Sequence, residues 1–558
     1  MSAVMEVREP SAKYLSTLRP PLVQHFELMA TAPGGVAKLR ELILTLAVQG
    51  KLVPQDPKDE PAGESLKKMQ EERERLVATK KIRRSKPLTP VEESEYLFDL
   101  PRGWVWERLG NLGDWGAGAT PSRANSRYYG GQIPWFKSGE LTADFISESE
   151  ETVTDKALRE CSLRLNAVGD VLLAMYGATI GKTSILSVPA TTNQAVCACT
   201  PYGGLSNTYL LLLMKALKPY FISIGAGGAQ PNISREKVIA TVVGLPPLIE
   251  QFRIVSRVEE LMRLCDALEA KGQLEAAQHA QLVQTLLGAL TTSNSPEELA
   301  ENWQRVATHF DVLLDRPEAI DALEQTILHL ATTGRLTSRL PSEVVSSATT
   351  DDDMTIDPPF ELPRGWAWAT LGKLSTFVTS GSRSWKDFYS DEGATFIRSQ
   401  DIKYNRIDFD NRAYVKLPLA AEGVRTKVCL RDVLITITGA NVGKSALVLD
   451  PIAEAYVSQH VALVRLHDPR LVDYLHLWLV SEHGGRQLLL TSSYGAKPGL
   501  NLKNIKDLPV PVPPLAEQAR IVARVQSLSR LYADLRQRLT ARQTTQVQLT
   551  AALMDEVA

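Results

Sequence analysis

Apolar positions first recur at helical spacing at Leu39, Leu42, Ile43, Leu46 and Ala47, so residues 38–51 are expected to form an amphipathic helix closed by Gly50. The 35 residues before it contain proline, show no period and read as a poorly ordered leader. A connector over 53–61 precedes a highly charged helix predicted over 64–82. That helix ends in the basic run 80–86, either a solvated helix end or a phosphate-contacting arm. From Leu100 to Pro247 short apolar runs are broken by Gly, Pro and Asn, which predicts strands at 171–175, 183–188 and 195–198, with one helix over 207–218. Residues 248–290 hold no proline and carry Ile254, Val258, Leu261, Leu264, Leu268, Leu282 and Leu286 at near-heptad spacing, which predicts one long helix. Further helices lead to a second amphipathic one over 319–336, and a polar, acidic linker covers 341–361. A second strand-rich stretch and a second long helix over 515–553, with Ile521, Val525, Leu528, Leu531, Leu535 and Leu539 in its stripe, complete the chain.

The order of elements is a repeat. Leu100-Pro-Arg-Gly-Trp-Val-Trp106 returns as Leu362-Pro-Arg-Gly-Trp-Ala-Trp368, and Gly177-Ala-Thr-Ile-Gly-Lys182 as Gly439-Ala-Asn-Val-Gly-Lys444, both offset by 262 residues. Pro246-Pro-Leu-Ile-Glu-Gln-Phe-Arg-Ile-Val255 returns as Pro513-Pro-Leu-Ala-Glu-Gln-Ala-Arg-Ile-Val522, offset by 267. The amphipathic helix at Ile43 matches the one at Ile327, offset by 284, so its first copy lies at the start of the chain and its second in the middle. The expected fold is α+β: two strand-rich globules, each followed by a long helix whose stripe needs a partner. Antiparallel pairing of those helices, with the N-terminal helix completing the C-terminal bundle, gives a circular pseudo-twofold. The expected boundaries are leader 1–35, N-terminal helices 36–99, first globule 100–247, central helices 248–340, linker 341–361, second globule 362–514 and C-terminal helix 515–558.

Net charge is −2 and names no partner, although residues 101–248 carry a balance of +2 and 362–514 one of +5. Cys161, Cys197, Cys199, Cys265 and Cys429 form no CxxC pair and fit reduced thiols in a cytoplasm. The longest apolar runs are too short to span a bilayer, so no membrane partner is expected.

Catalytic machinery is not legible. Gly177–Lys182 is one residue short of a phosphate-binding loop, as is its copy, and reads as a glycine turn exposing Lys182 and Lys444. Asp357-Pro-Pro-Phe360 has the outline of an amino-methyltransferase loop but lacks the buried strand before it, and reads as linker. The histidines show no ligand spacing, and neither a metal site nor a nucleophile–base pair is expected. What remains is binding by Arg, Lys, Asn and Gln, which read base edges, and by Ser, Thr and Lys, which serve phosphates. In the first globule the candidates are Lys137, Ser138, Tyr176, Thr179, Lys182, Asn193, Gln194, Gln230 and Asn232. In the second they are Arg398, Ser399, Gln400, Asn441, Lys444, Gln459, Lys497 and Asn501. For each of these a turn or a core-edge hydrogen bond is the competing role. Trp104, Trp106, Trp366 and Trp368 read as core.

The Leu-Pro-Arg-Gly-Trp-x-Trp openings, the Gly-x-x-x-Gly-Lys turns, the Pro-Pro-Leu-x-Glu-Gln-x-Arg-Ile-Val helix starts and the segment Leu39–Asp56 together resemble the DNA-specificity subunit of a Type I restriction–modification system. The resemblance covers nearly all of the chain from residue 36. It implies two target recognition domains that read a bipartite duplex target, with a spacer of two helical regions. It also implies two modification (methyltransferase) subunits docked on the helices and restriction (translocase/endonuclease) subunits joining them. Ile254, Val258, Leu261, Leu268, Ile521, Val525, Leu528 and Leu535 are the spacer and docking positions it points to. No cofactor is implied for this chain, with S-adenosylmethionine, ATP and magnesium expected on the partners, and no catalytic role is expected of it. One departure stands out, because Arg431 replaces the glycine of position 169, so the two turns are not expected to be equivalent. A stand-alone methyltransferase and a coiled-coil adaptor that binds no DNA are the alternatives.

Overall fold

The structure is a computed structural model that describes Phe26 and residues 28–225, 231–338, 343, 358–381, 385–417, 424–493 and 499–557. It divides into two units. Unit 1 takes residues 1–274 and 543–558, and unit 2 takes 275–542.

In unit 1 the leading helix α1 (Gly35–Val48) buries Leu39, Leu42, Ile43, Leu46 and Ala47, the stripe its period predicts. It starts three residues early and stops at Val48, where Gly50 adopts φ 69°. The leader is corrected at its end: residues 28–31 are helical, and Phe26 and Met29 are buried in the unit's core. Residues 1–25 lie outside the described part. Helix α2 (Ala62–Ala78) is shorter than expected, and the basic run after it is irregular and exposed at Arg83, Arg84 and Lys86.

The first strand-rich region opens with β1 (Val105–Arg108) and closes with β10 (Val242–Leu245), antiparallel neighbours that place Trp106 opposite Gly244. Between them lie β2 (Gly113–Ala117), β3 (Tyr129–Phe136), β4 (Phe145–Ile146), β5 (Thr152–Val153), β6 (Val171–Ala174), β7 (Thr183–Leu186), β8 (Thr191–Thr192) and β9 (Val196–Pro201). They form a five-stranded sheet, β2-β9-β6-β7-β4, and a three-stranded one, β5-β3-β8. Every residue of β6 is buried, as a continuous Val-Leu-Leu-Ala run requires of a central strand. Helix α3 (Asn207–Ala216) buries Tyr209 through Met214 in the same core as α1. The single helix expected here is therefore one of several, and Lys218–Gly225 continues it as a separate helix.

Helix α4 (Leu248–Thr292) runs through 45 residues, its first part in unit 1. Ile254, Val258 and Leu261 are buried there and Leu268 half-buried, whereas Leu282 is 44% exposed and falls out of the expected stripe. In unit 2, Val283, Leu287 and Leu290 of α4 share a core with helix α6 (Pro317–Thr332), which follows α5 (Pro296–Thr308).

The second strand-rich region repeats the closure, with β11 (Ala367–Thr370) antiparallel to β22 (Pro509–Val512) and Trp368 opposite Pro511. Inside it are β12 (Ser375–Ser380), β13 (Tyr389–Ser390), β14 (Ala394–Ile397), the hairpin β15 (Ile402–Lys403) and β16 (Arg406–Ile407), and β17 (Ala413–Val415). β18 (Val433–Thr436), β19 (Ser445–Leu447), β20 (Ala455–Val457) and β21 (Val461–Leu466) follow, then helix α7 (Val472–Val480). Their main sheets are ordered β12-β21-β18-β19 and β13-β17-β14-β20. The linker expectation is corrected at Phe360, which packs on Trp368 at 5.1 Å and Trp478 at 6.1 Å. Trp104 and Trp366 are buried, while Trp106 and Trp368 are only half-buried.

Helix α8 (Leu515–Val557) places Ile521 and Val525 in the unit 2 core, with Leu528 and Leu535 packed against it; Leu531 is 44% exposed, a second gap in the stripe. Its last turns belong to unit 1, where Met554 joins the core.

Candidate nucleic-acid interface

In the first region backbone hydrogen bonds lace four loops into one contiguous rim. Phe136 O at the end of β3 accepts from Asn193 N at 3.0 Å, and Met175 N after β6 donates to Ala195 O at 2.8 Å. Met175 O accepts from Ile233 N at 2.9 Å, Gly177 N donates to Pro231 O at 2.8 Å, and Tyr176 faces Asn232 as an isolated bridge. The rim thereby collects Lys137, Ser138, Tyr176, Thr179, Lys182, Asn193, Gln194 and Asn232, while Gln230 lies outside the described residues. Residues 177–179 form a tight turn and β7 follows, so no helix N-terminus faces a phosphate here.

The side chains on this rim differ in freedom. Lys137 is held by Glu151 at 2.9 Å and Glu150 at 3.2 Å, and its backbone N–H is capped by Glu140 at 3.0 Å. Glu151 also takes Arg123 at 2.5 Å; Arg123, then Lys137, hold its carboxyl down at about 2. Asn193 accepts from Ala195 N at 3.1 Å, so its oxygen is spent on the turn. Gln194 is exposed and accepts from Thr120. Thr179 donates to Tyr176 O at 2.7 Å, and the Tyr176 ring is 41% exposed. Among the described residues no hydrogen bond or ion pair holds the Lys182 ammonium.

The second region rebuilds the same lacing. Ile397 O at the end of β14 accepts from Ser458 N at 2.9 Å, Ile437 N donates to His460 O at 2.9 Å, and Ile437 O accepts from Leu500 N at 2.8 Å. Thr438 faces Gly499 as the bridge equivalent to Tyr176 and Asn232. Arg398 stands where Lys137 stands, its N–H capped by Asp401 at 2.8 Å, but here the capping acid also takes the guanidinium at 2.8 and 3.0 Å. Asn411 O accepts from the same guanidinium at 2.5 Å. The hydrogen bonds to Asp401, ahead of its charge, push the Arg398 pKa above its ordinary value. Asn441 donates to Ser399 O at 3.1 Å and accepts from Lys444 at 2.8 Å, so this lysine, unlike Lys182, is tethered. Gln400 and Gln459 are exposed, and Gln459 lies 3.1 Å from His460, whose other ring nitrogen meets Thr438. Asn501 caps a short helix, accepting from Asn504 N at 2.8 Å, which is a structural duty. Lys497 lies outside the described residues.

Sequence reasoning passed over three side chains on these rims. Arg123 is exposed and stacks its guanidinium 4.6 Å from the Tyr129 ring centre and 5.3 Å from that of Trp135. Thr120 orients Gln194, and His460 joins Thr438 to Gln459. The available signal was, for Thr120 and Arg123, their turn with Gly118 and Pro121 and, for His460, its place directly after Gln459. The spacer candidates behave differently: Ile254, Val258, Leu261, Ile521 and Val525 are buried, and Leu268, Leu528 and Leu535 half-buried, in the chain's own cores. They stabilise the units and offer little surface to another subunit.

The expected inequivalence of the turns at Gly169 and Arg431 is corrected. Gly169 (φ 90°) donates to Leu186 O at 2.8 Å, and Arg431 (φ 73°) donates to Val448 O at 2.9 Å, so the backbone is the same. Arg431 adopts this left-handed conformation while its guanidinium grips Asp473 with two contacts of 2.8 Å.

Among the described residues no group of three or more His, Cys, Asp or Glu could hold a metal ion, and no helix is long and apolar enough to cross a membrane. Comparison with known proteins agrees with the repeat. The Type I restriction modification DNA specificity domain matches residues 101–278 and again 363–542. The specificity subunit of the Type I restriction enzyme EcoEI of Escherichia coli is 30% identical over 93% of this chain and 93% of its own length. That of EcoAI, also from Escherichia coli, is 29% identical with the same coverage. In fold, the chain resembles a protein solved in work on complex assembly and conformational transition of the type I R-M system, with TM-score 0.52 and 19% identity over 82% of this chain and 98% of that one.

Proposed function

Since the chain belongs to the family of Type I restriction–modification DNA specificity subunits, we propose that its two laced rims each read one half of a bipartite duplex site. The observation that carries this reading is the duplicated rim: the same backbone hydrogen bonds present different side chains in the two copies. Lys182, free of any described partner, serves a phosphate, as does Lys444 from its tether to Asn441. Tyr176, Gln194, Gln400 and Gln459 are exposed and carry groups suited to base edges. Arg123 and Arg398, each braced by a carboxylate, present preoriented guanidinium groups to guanine or phosphate.

On this reading the long helices α4 and α8, 45 and 43 residues, set the unread spacer between the half-sites. A helix of that length measures roughly 65 Å. The chain performs no catalytic step itself. Two modification subunits bring S-adenosylmethionine, and restriction subunits use ATP and magnesium, all in the cytoplasm. The near-neutral net charge supports a chain that depends on those partners for much of its phosphate contact.

The test is single-molecule methylation mapping of DNA from cells with and without this chain. The expected result is loss of methylation at one asymmetric, gapped motif upon deletion. An unchanged methylation map in cells shown to express the partner methyltransferase sinks the reading in favour of an adaptor. Methyl-donor binding by the isolated chain would make it a methyltransferase in its own right.

A further inference from the structure

The two short helices bury equivalent faces: Leu39, Ile43, Leu46 and Ala47 of α1 correspond to Leu323, Ile327, Leu330 and Ala331 of α6. Their long partners do so too, Ile254 and Val258 of α4 matching Ile521 and Val525 of α8. Matched apolar contacts of this kind discriminate poorly between partners; buried exceptions such as Leu42 against Thr326 and Cys265 against Tyr532 differ in volume and add a steric bias that salt does not screen. A first ion pair does not discriminate either. Arg253 of α4 meets Asp59, and Arg520 of α8 meets Glu343 at 2.6 Å, with the same polarity in both units.

The second ion pair is reversed. In unit 1 the cation is on the short helix: Arg40 of α1 meets Asp266 at 2.6 Å and Glu269 at 2.8 Å, both on α4. In unit 2 the cation is on the long helix: Arg536 of α8 meets Asp321 at 2.5 Å and Glu324 at 2.6 Å, both on α6. The positions correspond one to one, Arg40 with Glu324 and Glu269 with Arg536 at the repeat offsets of 284 and 267; Asp321 and Asp266 fall opposite Ala37 and Ala533. We propose that this reversal is a pairing code: it admits α1 to α4 and α6 to α8, and repels the crossed closures that would interlock the chain with a second copy of itself. In a crossed closure Arg40 faces Arg536, and the acids of α6 face Asp266 and Glu269, so both attractions become repulsions. The groups are part-exposed, so each contact is weak alone and salt-sensitive; the code works by changing sign.

The test refolds the full-length chain from denaturant at low salt and measures interlocked dimer by size-exclusion chromatography with light scattering. Exchange A37D/R40E/D266A/E269R gives unit 1 the polarity of unit 2 while keeping every native pair matched. It is expected to raise the dimer fraction about five-fold. The complementary exchange D321A/E324R/A533D/R536E should do the same, and all eight substitutions together should return the fraction to the wild-type value. High salt should raise the wild-type dimer while leaving the single-unit exchanges unchanged. Refolding of both single-unit exchanges to the wild-type monomer fraction overturns the proposal. So does an eight-site chain that keeps as much dimer as they do, or loss of helical signal in all three, which would make the pairs merely structural.

Discussion

The two strand-rich regions share a backbone and differ in what they hang from it. Tyr176 and Asn232 form one bridge, Thr438 and Gly499 the other, and the hydrogen bonds around them fall on corresponding residues. Lys137 is braced by two distant glutamates and Arg398 by the aspartate three residues on; Lys182 has no tether among the described residues, and Lys444 is tied to Asn441. Because the lacing is main chain to main chain, it tolerates any side chain that fits the turn. A scaffold of this kind keeps its shape while its reading surface changes, which is what two unlike half-sites demand.

The shared part breaks hardest at its closest approach. Gly50 and Gly334, at φ 69° and 70°, each lie against a Pro and a Trp of the segment opening the following strand-rich region. A Cβ would come within 2.4 Å of Pro101 and 2.8 Å of Trp104 in one unit, and 2.6 Å of Pro363 and 2.9 Å of Trp366 in the other. Gly50→Val and Gly334→Val should each destabilise their unit by about 3 kcal/mol in chemical unfolding, through backbone strain and overpacking. A large difference between the two would mean the junctions are not equivalent.

Acid separates the units. Burial pushes His476 and His329, both of unit 2, down to about 4, whereas every histidine but His25 lies in unit 2 and none of the others is in unit 1. Folded-state values below the unfolded one mean that the unfolded state binds more protons between about pH 6.5 and 4, so unit 2 loses stability as pH falls through that window. Thermal unfolding at pH 7 and pH 5 should show the loss, and His476→Gln should flatten the pH slope. Unchanged slope in that variant would remove His476 from the account.

Binding effects come next. Arg398→Ala should weaken binding of the assembled complex to its own DNA site by roughly 1–3 kcal/mol and relax discrimination in one half-site only. Lys182→Ala should cost less, weaken binding to all sequences alike and lower the salt slope by about 1. Loss of base preference in the lysine variant would reverse the roles assigned here.

The smallest effect concerns Arg431. Arg431→Gly relieves the left-handed strain while losing the Asp473 grip, so it should be nearly neutral, whereas Arg431→Ala keeps the strain and should cost about 1 kcal/mol more. Urea midpoints measure the difference.

Helix faces were legible because their signal is local. The spacing of Leu39, Ile43 and Leu46 states which side is buried without naming the partner. Partners are what spacing leaves out. The pairing of β3 with β8, or the bond from Asn193 to Phe136, joins residues more than fifty positions apart. Short strands rich in Gly and Thr do not announce such register. The candidate rim residues were chosen by type and turn context, and the fold gathers the described ones on two rims. Whether each cation is free or braced depends on acids such as Glu151 and Asp401, whose roles only folding assigns. Leu282 and Leu531 show the converse: the period places them in the stripe, but the buried face there runs through the neighbouring Val283 and Tyr532.

Both strand-rich regions begin and finish on a single two-stranded ladder, with Val105 opposite Leu245 in one and Ala367 opposite Val512 in the other. Each is thus a closed excursion from the helical frame, leaving and rejoining at neighbouring points. Genetic crossovers at those two borders would transplant an entire excursion without altering the helices. A lineage could then acquire a new half-site in one recombination event and keep the other half, the spacing and its assembly partners by descent.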